Sequence, residues 1–177
     1  FSSSGVVQGD IFVKFDDVTI TPVQQHIHLG IMLSSDLKWS AHINYVVSQC
    51  NKLIGLLKRQ VYGLSLSQRC MFYQSIIRPK FEYGAILYDS CTALDSCKLD
   101  LLQRKAALVC TGAMYRTENK HLLEYLHWDS LTSRRMVARL SLFYKMLRKQ
   151  APHYLCDLVN LQHNGTEPST RSNDPNK

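Results

Sequence analysis

Ser40-Ala-His-Ile-Asn-Tyr-Val-Val-Ser-Gln-Cys-Asn-Lys-Leu-Ile-Gly-Leu-Leu-Lys-Arg59 is the stretch that decides the fold class. Its apolar residues Ile43, Val46, Val47, Cys50, Leu53, Ile54 and Leu57 recur at intervals of three and four, which lays them along one face of an α-helix. Ser40 stands where it can N-cap that helix, and Gly63 marks its end or the loop after it. The helical pattern continues downstream. Ser65-Leu-Ser-Gln68 has the form of a capping box. The helix it opens has Met71, Phe72, Ile76 and Ile77 as its predicted inner face, and Pro79 breaks or kinks it. Phe81-Glu-Tyr-Gly-Ala-Ile-Leu-Tyr88 is densely apolar and reads as helical again and central to the core. Thr92-Ala-Leu-Asp95 opens another helix, with Leu99, Leu102, Ala106 and Val109 as its stripe and Gly112 as its stop. A short helix is predicted at 121–126. A longer one is predicted over about 130–149, where Val137, Leu140, Phe143, Tyr144 and Leu147 oppose Arg135, Arg139 and Lys149.

Before Ser40 the period changes. Ile11-Phe-Val-Lys-Phe15 and Val18-Thr-Ile-Thr21 are short β-prone runs, with Asp16-Asp17 as the hairpin turn between them. His26-Ile-His-Leu-Gly-Ile-Met-Leu33 alternates with period two and predicts a third strand with one face buried. After Leu161 the chain is rich in Asn, Gly, Ser, Thr and Pro and reads as a disordered tail. The fold class is therefore α+β, mainly α: a short N-terminal β-hairpin or sheet followed by a helical bundle.

The net charge of +7 is concentrated. Residues 52–149 hold 17 Lys or Arg and 7 Asp or Glu, whereas the two flanks together hold 4 basic and 7 acidic residues. A basic middle favours a polyanionic partner, because neutralising phosphates releases condensed counterions. The cations fall in pairs on or beside helices: Lys58-Arg59, Arg78-x-Lys80, Arg104-Lys105, Arg134-Arg135 and Arg148-Lys149. Tyr62, Tyr73, Tyr83, Tyr115, Trp128 and Tyr144 are interleaved with them. Such cations can track a phosphate backbone while nearby aromatics stack on sugars or bases. No segment has the form of a base-reading motif, so sequence-specific recognition is not indicated.

The other candidates are weaker. The six cysteines have irregular spacings and no C-x-x-C pair, which predicts reduced, mostly buried thiols in an intracellular protein. No apolar run approaches the length of a membrane span, so no membrane partner is expected. His26, His28 and His42 lack a companion at a metal-ligand spacing, and no metal site is assigned. Asp16-Asp17 resembles a polymerase metal-binding pair only in part. In the aromatic-x-Asp-Asp pattern the aromatic position falls on Lys14, and the third carboxylate is missing. The turn reading is the stronger, and no catalytic residue is assigned.

The segments taken in order resemble a known family. His26-Ile-His-Leu-Gly-Ile-Met-Leu-Ser-Ser-Asp-Leu-Lys-Trp-Ser-Ala-His-Ile43 resembles the H-L-G-(I/V)-x-(L/I)-x-x-x-L-x-W-x-x-H-I signature that follows the palm of jockey-like, LINE-type non-LTR retrotransposon reverse transcriptases. Tyr73-Gln-Ser-Ile-Ile-Arg-Pro-Lys-Phe-Glu-Tyr-Gly84 is similar to the family's Y-x-S-x-(I/L)-x-P-x-x-(E/T)-Y-(G/A) segment. Leu102-Gln-Arg-Lys-Ala-Ala107, Trp128-x-Ser-Leu-x-x-Arg-Arg135, Phe143-Tyr-Lys-Met146 and Pro152-x-Tyr-Leu155 follow in family order. His26 is the departure, an extra histidine two residues before the His28-Leu29 pair. The likeness spans roughly residues 11–160, and its strength lies in the series of blocks.

The resemblance implies that residues 1–38 end a palm, that 39–160 form a thumb and connector, and that the chain begins downstream of the catalytic aspartates. The parent reaction would be RNA-directed DNA synthesis with Mg2+, while this chain holds no cofactor of its own. Its partners would be a primer–template duplex of RNA and DNA, bound without sequence preference, and the upstream palm of the same polyprotein. The expected phosphate contacts are Lys58, Arg59, Arg69, Arg78, Lys80, Arg104 and Lys105. The competing expectation is a non-catalytic helical protein-interaction module or decayed element remnant, in which these cations stay solvated.

Overall fold

The computed structural model describes residues 13–15 and 18–163, with side chains described over 21–159. It is mainly helical, with two small antiparallel hairpins at the start. Two compact units divide between Leu131 and Thr132.

In the first hairpin, β1 (Val13–Phe15) pairs with β2 (Val18–Ile20), with Phe15 opposite Val18. The Asp16-Asp17 turn expected between them lies outside the described residues. The single third strand expected over His26 to Leu33 is instead a second hairpin. There β3 (Gln25–His28) pairs with β4 (Ile31–Ser34), and Leu29 and Gly30 form the two-residue turn with φ of 48° and 80°. Two successive positive φ values give a turn whose twist matches that of the flanking strands, and glycine at the second position makes it accessible. The fold-back also undoes the expected buried face. All of β3 is exposed, and Ile31 is the buried residue of the hairpin.

Helix α1 (Ser40–Arg59) follows the quoted periodicity. Ile43, Val46, Cys50, Ile54 and Leu57 are buried, and His42 joins them. The cap is a correction. Trp39 occupies the N-cap position without a side-chain cap, and the Ser40 hydroxyl donates to Asp95 Oδ2 at 2.6 Å instead. A single 3-10 turn, Val61–Gly63, leads to α2 (Leu66–Phe72). Here the expected capping box is present. Gln68 N–H donates to Ser65 Oγ at 3.3 Å, and Ser65 N–H donates to Gln68 Oε1 at 2.8 Å.

From Phe72 the helix widens into a π-helical segment, Tyr73–Ile77, and then re-forms as α3 (Arg78–Glu82). Pro79 is the physical cause. It has no N–H to donate to the carbonyl four residues back, and its ring crowds that carbonyl. The wider turn absorbs this, with Arg78 N–H bonding to Tyr73 O. One extra residue per turn rotates the face, so Tyr73, Ile77 and Phe81 are buried while Met71 and Ile76 are exposed. Of the expected inner face, Phe72 and Ile77 do pack on the core, whereas Met71 and Ile76 do not. The segment after Glu82 is also not a helix. Gly84 has a φ of +66°, and the chain runs through consecutive turns to Ser90. Phe81, Ala85 and Tyr88 nevertheless lie in the core, as their density in the sequence implies.

Helix α4 (Ala93–Thr111) starts at Thr92, whose Oγ1 accepts from Asp95 N–H at 3.2 Å, and stops at Gly112 with a φ of 72°. Its buried stripe is Leu99, Leu102, Gln103, Ala106, Ala107 and Cys110. Helix α5 (Asn119–Leu126) contributes Leu122 and Leu123. The core is closed by Trp128, which stacks on Tyr73 with ring centroids 3.8 Å apart. The unit that starts at Thr132 holds most of α6 (Leu131–Leu147) and all of α7 (His153–His163), which continues two residues past Leu161. Residues 164–177 of the expected tail lie outside the described residues.

The axis of the first unit is the pairing of α1 with α4. Ser40 meets Asp95, Lys98 Nζ donates to Asn44 Oδ1 at 2.9 Å, and Lys105 Nζ donates to Asn51 Oδ1 at 3.4 Å. The two lysine–asparagine contacts have the same sequence separation of 54 residues, so the helices run parallel and in register. Their N-termini lie together at one end and their C-termini at the other.

Candidate nucleic-acid interface

The parallel pairing creates a groove at the C-terminal end of α1 and α4. It encloses about 730 Å³ and is lined by Ile54, Lys58, Val61 and Tyr62 from one side, and by Lys105, Leu108, Val109, Gly112, Ala113 and Tyr115 from the other. Its floor is aliphatic, its cations are two lysines, and no carboxylate lines it. Lys58 and Arg59 sit in the last turn of α1, where they offset the negative end of the helix dipole. Neither has an ion-pair partner among the described residues, so both ammonium and guanidinium groups face solvent.

Two tyrosines frame the groove. Tyr62 is 100% exposed and Tyr115 is 79% exposed. Tyr115 is held from below by Arg104. The guanidinium carbon lies 5.0 Å from the ring centroid, and the same group donates to Tyr115 O at 2.5 Å and Thr117 O at 3.1 Å. The loop after Gly112 is thus clamped to α4, with one ring face against a cation and the side chain otherwise exposed.

The seven cations expected to contact phosphate do not form one surface. Lys58 and Lys105 converge on the groove, Arg59 adjoins it in sequence, and Arg104 supports Tyr115. Arg69 is drawn inward, donating to Val109 O at 3.4 Å and to Ser65 O at 3.4 Å, which ties α2 to α4. Arg78 is half-buried, with Nε 3.5 Å from Glu82 Oε2 in an ion pair that lacks hydrogen-bond geometry. Lys80 lines a second, separate hollow with Tyr45, Gln49 and Tyr83. The interleaved aromatics divide in the same way, since Tyr73 and Trp128 are core residues and only the exposed rings can meet a ligand. Tyr62 and Tyr115 carried no local sequence signal that set them apart. What distinguishes them is a helix-to-helix register that only the folded chain reveals.

Cys50, Cys110 and His42 are committed to the fold, while Cys97 and the β3 histidines are exposed. Burial pushes the Cys50 thiol up to about 11 and the Cys110 thiol up to about 12, so neither is a thiolate nucleophile at neutral pH. All six cysteines are free. His42 Nδ1 accepts from Met32 N–H at 3.3 Å, which fastens β4 to α1, and burial lowers its pKa. Among the described residues no group of three or more His, Cys, Asp or Glu side chains could hold a metal ion. No helix among them is long and apolar enough to cross a membrane.

Within the first unit, two pairs of the segments used for the resemblance meet in space. Gly30 packs against the Tyr83 ring, and Tyr83 Oη donates to Leu29 O at 2.7 Å. Gln103 Nε2 donates to Asp129 O at 2.9 Å, next to Trp128. No family model matches the chain, and no curated protein or solved structure matches it.

Proposed function

We propose that this chain is the post-palm thumb and connector portion of a non-LTR retrotransposon reverse transcriptase. In this reading it is an intracellular protein that holds primer–template nucleic acid through its backbone, without catalytic aspartates of its own. The observation that carries the reading is the groove at the C-terminal end of the α1–α4 pair. Two lysines 47 residues apart in sequence meet there beside exposed tyrosines, with no carboxylate in the lining. A lysine is a compact point charge that suits a phosphate oxygen without reading a base. The ordered series of sequence blocks supports a parent enzyme of this kind, in which the Mg2+ chemistry would belong to the palm.

The test is binding of the full chain to a labelled RNA–DNA duplex across a salt series. Affinity should fall linearly with the logarithm of salt concentration. The double variant Lys58→Ala/Lys105→Ala should flatten that slope by about 2, one for each phosphate no longer neutralised. Binding that ignores salt, or a slope unchanged in the variant, would refute the reading.

A second reading has an observation of its own. On α6, Met136, Val137, Leu140, Phe143, Tyr144 and Leu147 recur at helical spacing and are each about half exposed or more. Such a stripe fits a helical protein-interaction module. Salt-independent association with a protein partner, abolished in Leu140→Asp, would favour it.

A further inference from the structure

Building on the nucleic-acid reading, we propose that the α1–α4 groove takes an unpaired stretch of the strand, with bases lying against Tyr62 and Tyr115 and phosphates on Lys58 and Lys105. A duplex alone would leave half of the groove unused. Paired bases turn their faces to each other and present a charged sugar–phosphate rim, which satisfies the lysines and nothing else. The floor here is Ile54, Val61, Leu108, Val109 and Ala113, and two large rings stand beside it. An unpaired nucleotide offers both an apolar π-face and a phosphate, and so matches both halves of the lining.

The exposure of the tyrosines supports the same occupant. A fully exposed Tyr62 contributes nothing to the core, and neither ring is needed to close the fold. The Arg104 guanidinium lies over the Tyr115 ring and anchors that segment through two carbonyls. This fixes the ring before a base arrives, so less side-chain freedom is given up on stacking. Stacking is tolerant of base identity, which agrees with the absence of base-reading geometry. The groove volume of about 730 Å³ also falls within the range of ligand clefts.

The experiment compares three labelled probes on the full chain at one salt concentration: a blunt RNA–DNA duplex, the same duplex with a four-nucleotide overhang, and the overhang strand alone. The overhang duplex should bind about 5-fold to about 150-fold more tightly than the blunt one, the range expected for one stacked base. Tyr115→Ala and Tyr62→Ala should each erase part of that preference, the overhang duplex losing more affinity than the blunt one. Tyr115→Phe should retain it. An abasic overhang should bind like the blunt duplex. Both tyrosines are exposed, so the variants should keep the wild-type circular dichroism spectrum and melting temperature. Salt-dependent binding with no preference for the overhang, or a preference that survives both alanine variants, would overturn this inference alone. Failure of all three probes to bind would overturn it together with the reading it rests on.

Discussion

The two ends of the α1–α4 pair are built in opposite ways. At the N-terminal end the polar groups around Asp95 find partners inside the protein. Asp95 is 3% exposed and takes Ser40 and Thr92 hydroxyls on Oδ2 and the Lys98 ammonium on Oδ1, at 2.6, 3.0 and 2.8 Å. Lys98 donates onward to Asn44. At the C-terminal end the cations have no acidic partner and the rings stand in solvent. A buried carboxylate is tolerable only when its hydrogen bonds are satisfied. An exposed lysine needs no partner, because water already solvates it. The first end therefore uses its polar groups to hold the helices together, whereas the second keeps the Lys105–Asn51 bond and leaves Lys58 and the two rings facing solvent.

The largest expected effect breaks the closed end. Asp95→Ala removes the acceptor of two hydroxyls and one ammonium and should destabilise the first unit by about 3 kcal/mol, read from the urea midpoint. Asp95→Asn keeps the shape and an acceptor and should cost less. A change within 0.5 kcal/mol for Asp95→Ala, on the order of an ordinary surface substitution, would mean that the network does not hold the pair.

Acid is a gentler probe of the same region. Burial holds the His42 pKa below its usual value, so the folded state favours the neutral ring. The contribution is complete above the unfolded value of about 6.5 and is lost as pH falls through the folded one. Protonation would also remove the Nδ1 lone pair that accepts from Met32 N–H. Stability should therefore decline below about pH 6.5, by at most about 1.4 kcal/mol per pH unit for this one proton. His42→Gln should show a shallower decline in the same thermal melts.

The smallest expected effect lies at the open end. Lys58→Ala and Lys105→Ala should each change stability by no more than about 0.5 kcal/mol while weakening nucleic-acid binding. A large destabilisation would show that these lysines serve the fold, and the contrast between the two ends would disappear.

The helices were legible in the sequence because their signals are local. The three- and four-residue spacing from Ile43 to Leu57, the Ser65–Gln68 box and the Gly112 stop each lie within a short segment, and each is present in the structure. The errors came where a local signal had two solutions. Period-two alternation cannot tell a strand from a hairpin when Leu29-Gly30 can form the turn. A proline inside a helix can break it, kink it or widen it, and here it widens it. The candidate site was legible only as a set of cations with interleaved aromatics, not as the four residues that line one groove. Arg69 and Lys58 look alike in sequence, yet one bonds a carbonyl of α4 and the other faces solvent, because their separation into roles depends on how α1, α2 and α4 pack.

The parallel course of α1 and α4 bears on how quickly the molecule can assemble. Neighbouring helices joined by a short loop run antiparallel, so a parallel pair must wait for an intervening segment to cross back. Each lysine–asparagine bond between α1 and α4 closes a loop of about 54 residues, an entropic cost of roughly 3.5 kcal/mol for a flexible chain. Two stiff helices meet that cost only once, at whichever bond forms first, and the later ones follow as a zipper does. The π-helical segment and the turns after Gly84 lie within that crossing stretch, and their geometry sets where Thr92 and Asp95 arrive relative to Ser40. Non-local closure of this kind slows folding relative to a bundle of antiparallel hairpins. The rate-limiting event would then be the crossing of residues 60–92 that brings α4 alongside α1.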